Sequence, residues 1–94
     1  MIEIKNIQGE VIARLECDNL SRADLTDLDL SYADLRGADL FNATIVRTNL
    51  KGADLRGADL RCAYIAWVDF RESIIDKHTE FPPVNIGRYA CSTI

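Results

Sequence analysis

The sequence predicts an all-β solenoid: a chain that turns every five residues and piles its apolar side chains into one continuous column. Three observations predict it. A large apolar residue recurs at every fifth position, at Leu20, Leu25, Leu30, Leu35, Leu40, Ile45, Leu50, Leu55, Leu60, Ile65, Phe70 and Ile75. Two residues before most of these centres the side chain is small, at Ala23, Ala33, Ala38, Ala43, Ala53, Ala58, Ala63 and Ser73. Larger residues stand there at Leu28, Thr48 and Val68, and Asp18 is a polar exception at the entrance. Between the two inward residues most units carry Asp or Asn, as in Ala33-Asp34-Leu35 and Ala58-Asp59-Leu60.

Each of these features has a physical consequence. A period of five matches neither the 3.6 of a helix nor the 2.0 of a long strand, so no regular element keeps all the centres on one side. The chain must therefore turn within each unit. Inside a unit, strand alternation puts the centre and the residue two before it on one face and the Asp or Asn between them on the other. A helix is further opposed by Gly37, Gly52 and Gly57 in the middle of the run. Stacked units bury one another's apolar edges, which no single unit could do alone.

The motif Ala-Asp-Leu-Arg-Gly-Ala-Asp-Leu, found at 53–60, and the unbroken register around it resemble the pentapeptide repeat family. The resemblance implies a right-handed quadrilateral β-helix with four repeats to a coil, hence about three coils here. It also implies that residues twenty apart stack. Asp34 would then lie beneath Asp54 and Asp39 beneath Asp59, and Asp27, Arg47 and Trp67 would form one column.

A stacked column exposes apolar side chains and backbone edges at its ends, and both ends of this chain offer covers. Residues 1–16 alternate as Ile2, Ile4, then Val11, Ala13, Leu15 around Ile7-Gln8-Gly9-Glu10, which predicts an N-terminal β-hairpin cap on the first coil. The repeats are expected over 17–77. After them Phe81-Pro82-Pro83 introduces prolines that cannot donate to a ladder, and 78–94, with Val84, Ile86, Tyr89 and Ile94, is expected to serve as a C-terminal capping tail. All three parts are read as one domain.

Composition narrows the function. The chain is 48% hydrophobic and 28% charged with a net charge of −4, the profile of a folded soluble protein without the basic surplus that phosphate binding needs. Direct nucleic-acid binding and membrane association are not expected, and a cytoplasmic protein is. Cys17, Cys62 and Cys91 are widely spaced and share one histidine, His78, so reduced thiols and no metal or other cofactor are expected. The Asp residues are explained by their place in the repeat, and no nucleophile-and-base set, phosphate loop or dinucleotide fingerprint is present, so no enzyme is expected.

What remains is a structural or protein-interaction module. The family resemblance raises one alternative, a DNA-mimicking effector of DNA gyrase or another topoisomerase. Between Asp18 and Lys77, however, eleven acids meet eight bases, a mixed surface unlike a duplex. The outward positions that depart from a neutral, polar wall are Phe41, Val46, Tyr64 and Trp67. Two readings apply to them: the tail, through Ile86 or Tyr89, folds over them, or they form a patch for a protein partner or a second copy in a homodimer.

Overall fold

The computed structural model describes residues 1–82, which are all-β, with no helix among them. The repeat register is visible in the backbone ladder. Parallel bridges join Asp24 to Thr44, Asp29 to Asn49, Asp34 to Asp54, Asp39 to Asp59, Asn49 to Asp69 and Asp54 to Ile74, each pair twenty residues apart. Four five-residue units thus bring the chain back over itself. The ladder is longest where β3 (Thr44–Val46) pairs in parallel with β4 (Tyr64–Ala66), with Ile45 beside Ile65.

The turning is done at one position of each unit. Every fifth residue from Arg22 to Glu72 has positive φ: Arg22, Asp27, Tyr32, Asn42, Arg47, Cys62, Trp67 and Glu72, with Gly37, Gly52 and Gly57 filling the series. In most units the amide after this corner donates back to the preceding centre, as Ala33 N–H to the Leu30 carbonyl at 3.1 Å and Ala58 N–H to Leu55 at 3.0 Å. A four-residue turn with φ > 0 at its third residue is the type II pattern. Glycine fits that corner without strain, and the other residues hold it because the ladder above and below fixes the backbone.

Gly52 is the corner where glycine has a second role. It is buried beneath the ring of Tyr32, and a β-carbon added to it would land on that ring. Gly37 has the same left-handed backbone with nothing within 4 Å of the added atom. Gly37→Ala should therefore cost about 1 kcal/mol from backbone strain alone, and Gly52→Ala about 2 kcal/mol, because Tyr32 must also leave its seat. Urea unfolding of the two variants side by side checks the difference.

Leu20, Leu25, Leu30, Leu35, Leu40, Ile45, Leu50, Leu55 and Leu60 are buried, together with Ala33, Ala43, Ala53, Ala58 and Ala63. The last centres differ. Ile65 and Phe70 are half-buried, and Ile75, expected inside the column, is 54% exposed. The reason is positional: no described unit lies over this last layer.

The register also outlasts Ile75. Glu80 bridges Asp59, an offset of twenty-one, so one extra residue has been inserted and the ladder then resumes. The Asp76 carboxylate accommodates the insertion by accepting the Gly57 N–H at 3.0 Å, and it also accepts the His78 N–H at 3.0 Å. Phe81 follows, with its ring edge-on to Phe70 at 6.1 Å.

At the other end β1 (Ile2–Lys5) and β2 (Val11–Leu15) form an antiparallel hairpin with an irregularity between Ile4 and Lys5. The hairpin is tied to the first layer. Asp34 N–H donates to the Lys5 carbonyl at 2.7 Å, Ile7 N–H donates to Tyr32 at 2.8 Å, and Ile4 is buried in the core. The backbone edge of that face, which has no unit below it, is thereby occupied. Cys17 has a free thiol, whereas Cys62 is disulfide-bonded, which corrects the expectation of three reduced thiols. Cys91 and the expected capping tail from Pro83 onward lie outside the described residues.

Candidate interaction surface

The outward Asp or Asn of each unit has a structural task. Its Oδ1 accepts the backbone N–H two residues on: Asn19 from Ser21, Asp24 from Thr26, Asp29 from Ser31, Asp39 from Phe41, Asn49 from Lys51. This is the local contact that Asp and Asn offer a turn, and it satisfies an amide that the ladder does not use. Sequence reading placed these side chains outward and missed the contact. Their position three residues before the corner was the available signal.

Four of the acids have a further partner. Where Arg follows the centre, its guanidinium reaches back over the apolar residue and forks the carboxylate: Arg36 on Asp34, Arg56 on Asp54, Arg61 on Asp59 and Arg71 on Asp69. The Arg56 to Asp54 contact is 2.6 Å, and Asp54 is 5% exposed. These arginines hold the four carboxyls below the usual carboxylate range, Asp69 at about 2. The stacked acids Asp34 with Asp54 and Asp39 with Asp59 thus exist as a ladder, but three of the four are already matched by arginine.

The wall carrying β3 and β4 is built differently. Here the position before the centre is Thr44 or Tyr64 in place of Asp, so there is no carboxylate to close the turn. The residues twenty apart at the second inward site of the following unit are the large ones, Leu28, Thr48 and Val68. Thr48 is buried, and its Oγ1 donates to the Leu25 carbonyl at 2.9 Å, satisfying a backbone acceptor in the layer below.

The four candidate patch residues separate into two groups. Phe41 is half-buried beneath the Arg61 guanidinium, which stands 5.8 Å from its ring centroid, so it is a packed surface residue. Val46 is half-buried with Ala66 above it in the ladder. Tyr64 is 50% exposed and Trp67 84% exposed, at the upper rim of this wall. Arg47 stacks on Asp27 with contacts of 2.7 and 3.2 Å, leaving the Trp67 ring clear of that ion pair. Two of the four, Tyr64 and Trp67, therefore present large apolar area to solvent on backbone fixed by the ladder.

Among the described residues no group of His, Cys, Asp and Glu could hold a metal ion, and no helix is long and apolar enough to cross a membrane. The model of the family described as pentapeptide repeats matches residues 19–57 and 38–75, in 8 copies. The chain is a pentapeptide repeat protein. Like other members it is a β-helix solenoid, and the twenty-residue ladder is the backbone form of its repeat. The chain is 38% identical to a pentapeptide repeat protein (Rfr23) of the cyanobacterium Cyanothece 51142, with a TM-score of 0.65 over 67% of this chain and 43% of that one. It thus spans less than half the length of that protein. A pentapeptide repeat protein of Nostoc Pcc 7120 is 33% identical over 77% of this chain and 72% of its own, with a TM-score of 0.30. No curated protein matches.

Proposed function

We propose that this pentapeptide repeat protein is a non-enzymatic protein-interaction module whose binding surface is the rim formed by Tyr64 and Trp67. The coils are right-handed and four-sided, about three in number, over 17–77, with the hairpin of 1–16 as the cover of the first coil. The protein works in the cytoplasm, without cofactor, membrane or direct nucleic-acid contact. The observation that carries the reading is the Trp67 indole, 84% exposed at a corner whose backbone cannot relax away from it. Indole and phenol rings supply large contact area at little entropic cost, and they are enriched among the anchors of interfaces.

The alternative reading as a DNA mimic of a topoisomerase substrate draws on the stacked Asp34 with Asp54 and Asp39 with Asp59. The arginine forks weigh against it, because a duplex presents its charges without cations built between them. The interaction reading is tested by affinity capture from the native host with wild-type protein and Trp67→Ala. The expected result is a protein retained by the wild type and lost, by roughly tenfold or more, with the variant, while far-UV circular dichroism stays unchanged. Equal retention by both would overturn the assignment of the surface.

A further inference from the structure

We infer that the groove between Ile7 and Ile74 receives an extended acidic segment of a partner protein, one that carries an apolar side chain on either side of a carboxylate. Ile7, Asp34, Arg36, Asp54, Arg56 and Ile74 line this groove. It lies two units along the chain from β3 and β4 in a turn of four units, so it belongs to a different wall from the Tyr64 and Trp67 rim. The inference does not depend on the role of that rim.

Charge is layered across the groove. The carboxylates lie deep: the Asp34 side chain is 31% exposed and that of Asp54 6%, and each accepts from the Nε and Nη2 of its own arginine. The guanidinium groups stand outside them, on side chains 59% and 48% exposed. Among the described residues nothing is bonded to the Nη1 of Arg36 or of Arg56. These two cations stand one ladder step, about 4.8 Å, apart, and a carboxylate set over them is drawn to both at once. What a ligand meets is therefore positive, although the groove's own charges balance.

The ends of the groove are apolar. Ile74 stands in the outward column that Asp34 and Asp54 hold in the two layers below, and it is 44% exposed. It has no task in the turn, because the Asp76 N–H that a carboxylate would serve donates to Thr79 Oγ1 instead. Ile7, in the hairpin turn at the other end, is 54% exposed. From the hairpin layer to Ile74 is three ladder steps, about 14 Å. An extended peptide covers about 13 Å in four residues and puts its first, third and fifth side chains on one side. A segment apolar at the first and fifth positions and acidic at the third thus reaches both isoleucines and centres its carboxylate on the two arginines. This joins the recognition of acidic motifs by clustered arginine to an apolar anchor at each end. A nucleic-acid phosphate chain has nothing to set against the isoleucines.

The probe is a fluorescein-labelled heptapeptide with isoleucine, glutamate and isoleucine at its second, fourth and sixth positions and serine elsewhere, titrated with the full chain and followed by anisotropy. The expected result is saturable binding with a Kd below about 1 mM that weakens as salt is added. Lysine in place of the glutamate, or serine in place of both isoleucines, should weaken it roughly tenfold or more. Ile74→Asp restores the residue type of the two layers below, so circular dichroism should be unchanged while peptide affinity falls by about the same factor. Arg36→Gln makes the corresponding test of charge and leaves the deeper Asp54 with Arg56. Amide NMR shifts of the wild type on adding peptide locate the site even if a variant fails to fold, and they should centre on 34–37 and 54–57. Shifts centred on Tyr64 and Trp67 overturn the assignment, as does the absence of binding at roughly 1 mM peptide. Equal binding of the serine peptide would leave a bare anion site and overturn it too. So would self-association of the wild type that Ile74→Asp abolishes, with no peptide bound, since a second copy would then fill the groove.

Discussion

Leu50→Ala is expected to destabilise the protein by about 2–5 kcal/mol, and Leu50→Asp to leave no cooperative unfolding transition. Leu50 is 1% exposed and sits in the middle of the column, one layer above Leu30 and one below Phe70. Its backbone is tied on both sides: Leu30 N–H donates to the Asn49 carbonyl and Leu50 N–H to Asp69. The layers therefore cannot sink into the space that a truncated side chain leaves. The cost depends on how far a site can collapse, so it should fall in the upper part of that range. Ile75→Ala is the internal control. Ile75 is a centre in the same register, but it is 54% exposed, and its truncation should cost less than about 1 kcal/mol. Urea unfolding followed by far-UV circular dichroism measures both; Trp67, already in solvent when folded, would be a poor probe. Equal costs at the two sites would mean that the column is not what holds the fold.

The contrast between Leu50 and Ile75 marks how far the sequence could be read. A five-residue period identifies which side chains face inward, because turning at fixed intervals leaves no other way to keep them together. It carries no information about what lies above the last layer, and there Ile65, Phe70 and Ile75 lose cover step by step. The insertion at 76–79 was equally hidden, since the ladder regains its register only through the Asp76 carboxylate, a contact made across nineteen residues. The hairpin was legible in the alternation of Ile2 and Ile4 with Val11, Ala13 and Leu15. Its anchorage at Lys5 and Ile7 was not, because it uses backbone groups that any residue supplies.

The surface was legible in place but not in energy. Asp27 and Arg47 were read as neighbours in one column and are paired at 2.7 Å. Phe41 and Trp67 look alike in a list of outward aromatics. A guanidinium covers the first and, among the described residues, nothing comparable covers the second, and that difference depends on which arginine reaches which ring. The forked pairs were within reach of a closer reading: Asp before the centre and Arg after it, as in Asp34-Leu35-Arg36 and Asp59-Leu60-Arg61, lie on the same side of a strand. Once that is seen, the aspartates cease to be a free anionic surface and become part of the turn.

Those turns should make the protein lose stability in acid over a defined window. Asp34, Asp54, Asp59 and Asp69 are held below their ordinary carboxylate value of 3.8, first by the hydrogen bonds from Arg36, Arg56, Arg61 and Arg71. Asp24 and Asp29 are lowered too, first by the hydroxyl hydrogen bonds of Thr26 and Ser31. A carboxyl with a depressed folded pKa binds fewer protons folded than unfolded. Its contribution is complete above the unfolded value and is lost as pH falls through the folded one. Unfolding free energy should therefore be level from neutral pH to about 4 and then fall towards pH 2, where Asp69 itself titrates. Asp54 is the position where this is sharpest, being buried and forked at once. Asp54→Ala removes the acceptor for the Arg56 backbone N–H together with the partner of its guanidinium, and about 1–3 kcal/mol should be lost at pH 7. Asp54→Asn keeps an oxygen for the backbone N–H and loses the charge, so it should cost less at pH 7 and flatten the decline below pH 4. Urea midpoints of the three proteins between pH 2 and 7 decide the matter: a decline in the wild type beginning near pH 6, or an Asp54→Asn curve parallel to it throughout, would show that these carboxylates do not carry the acid response.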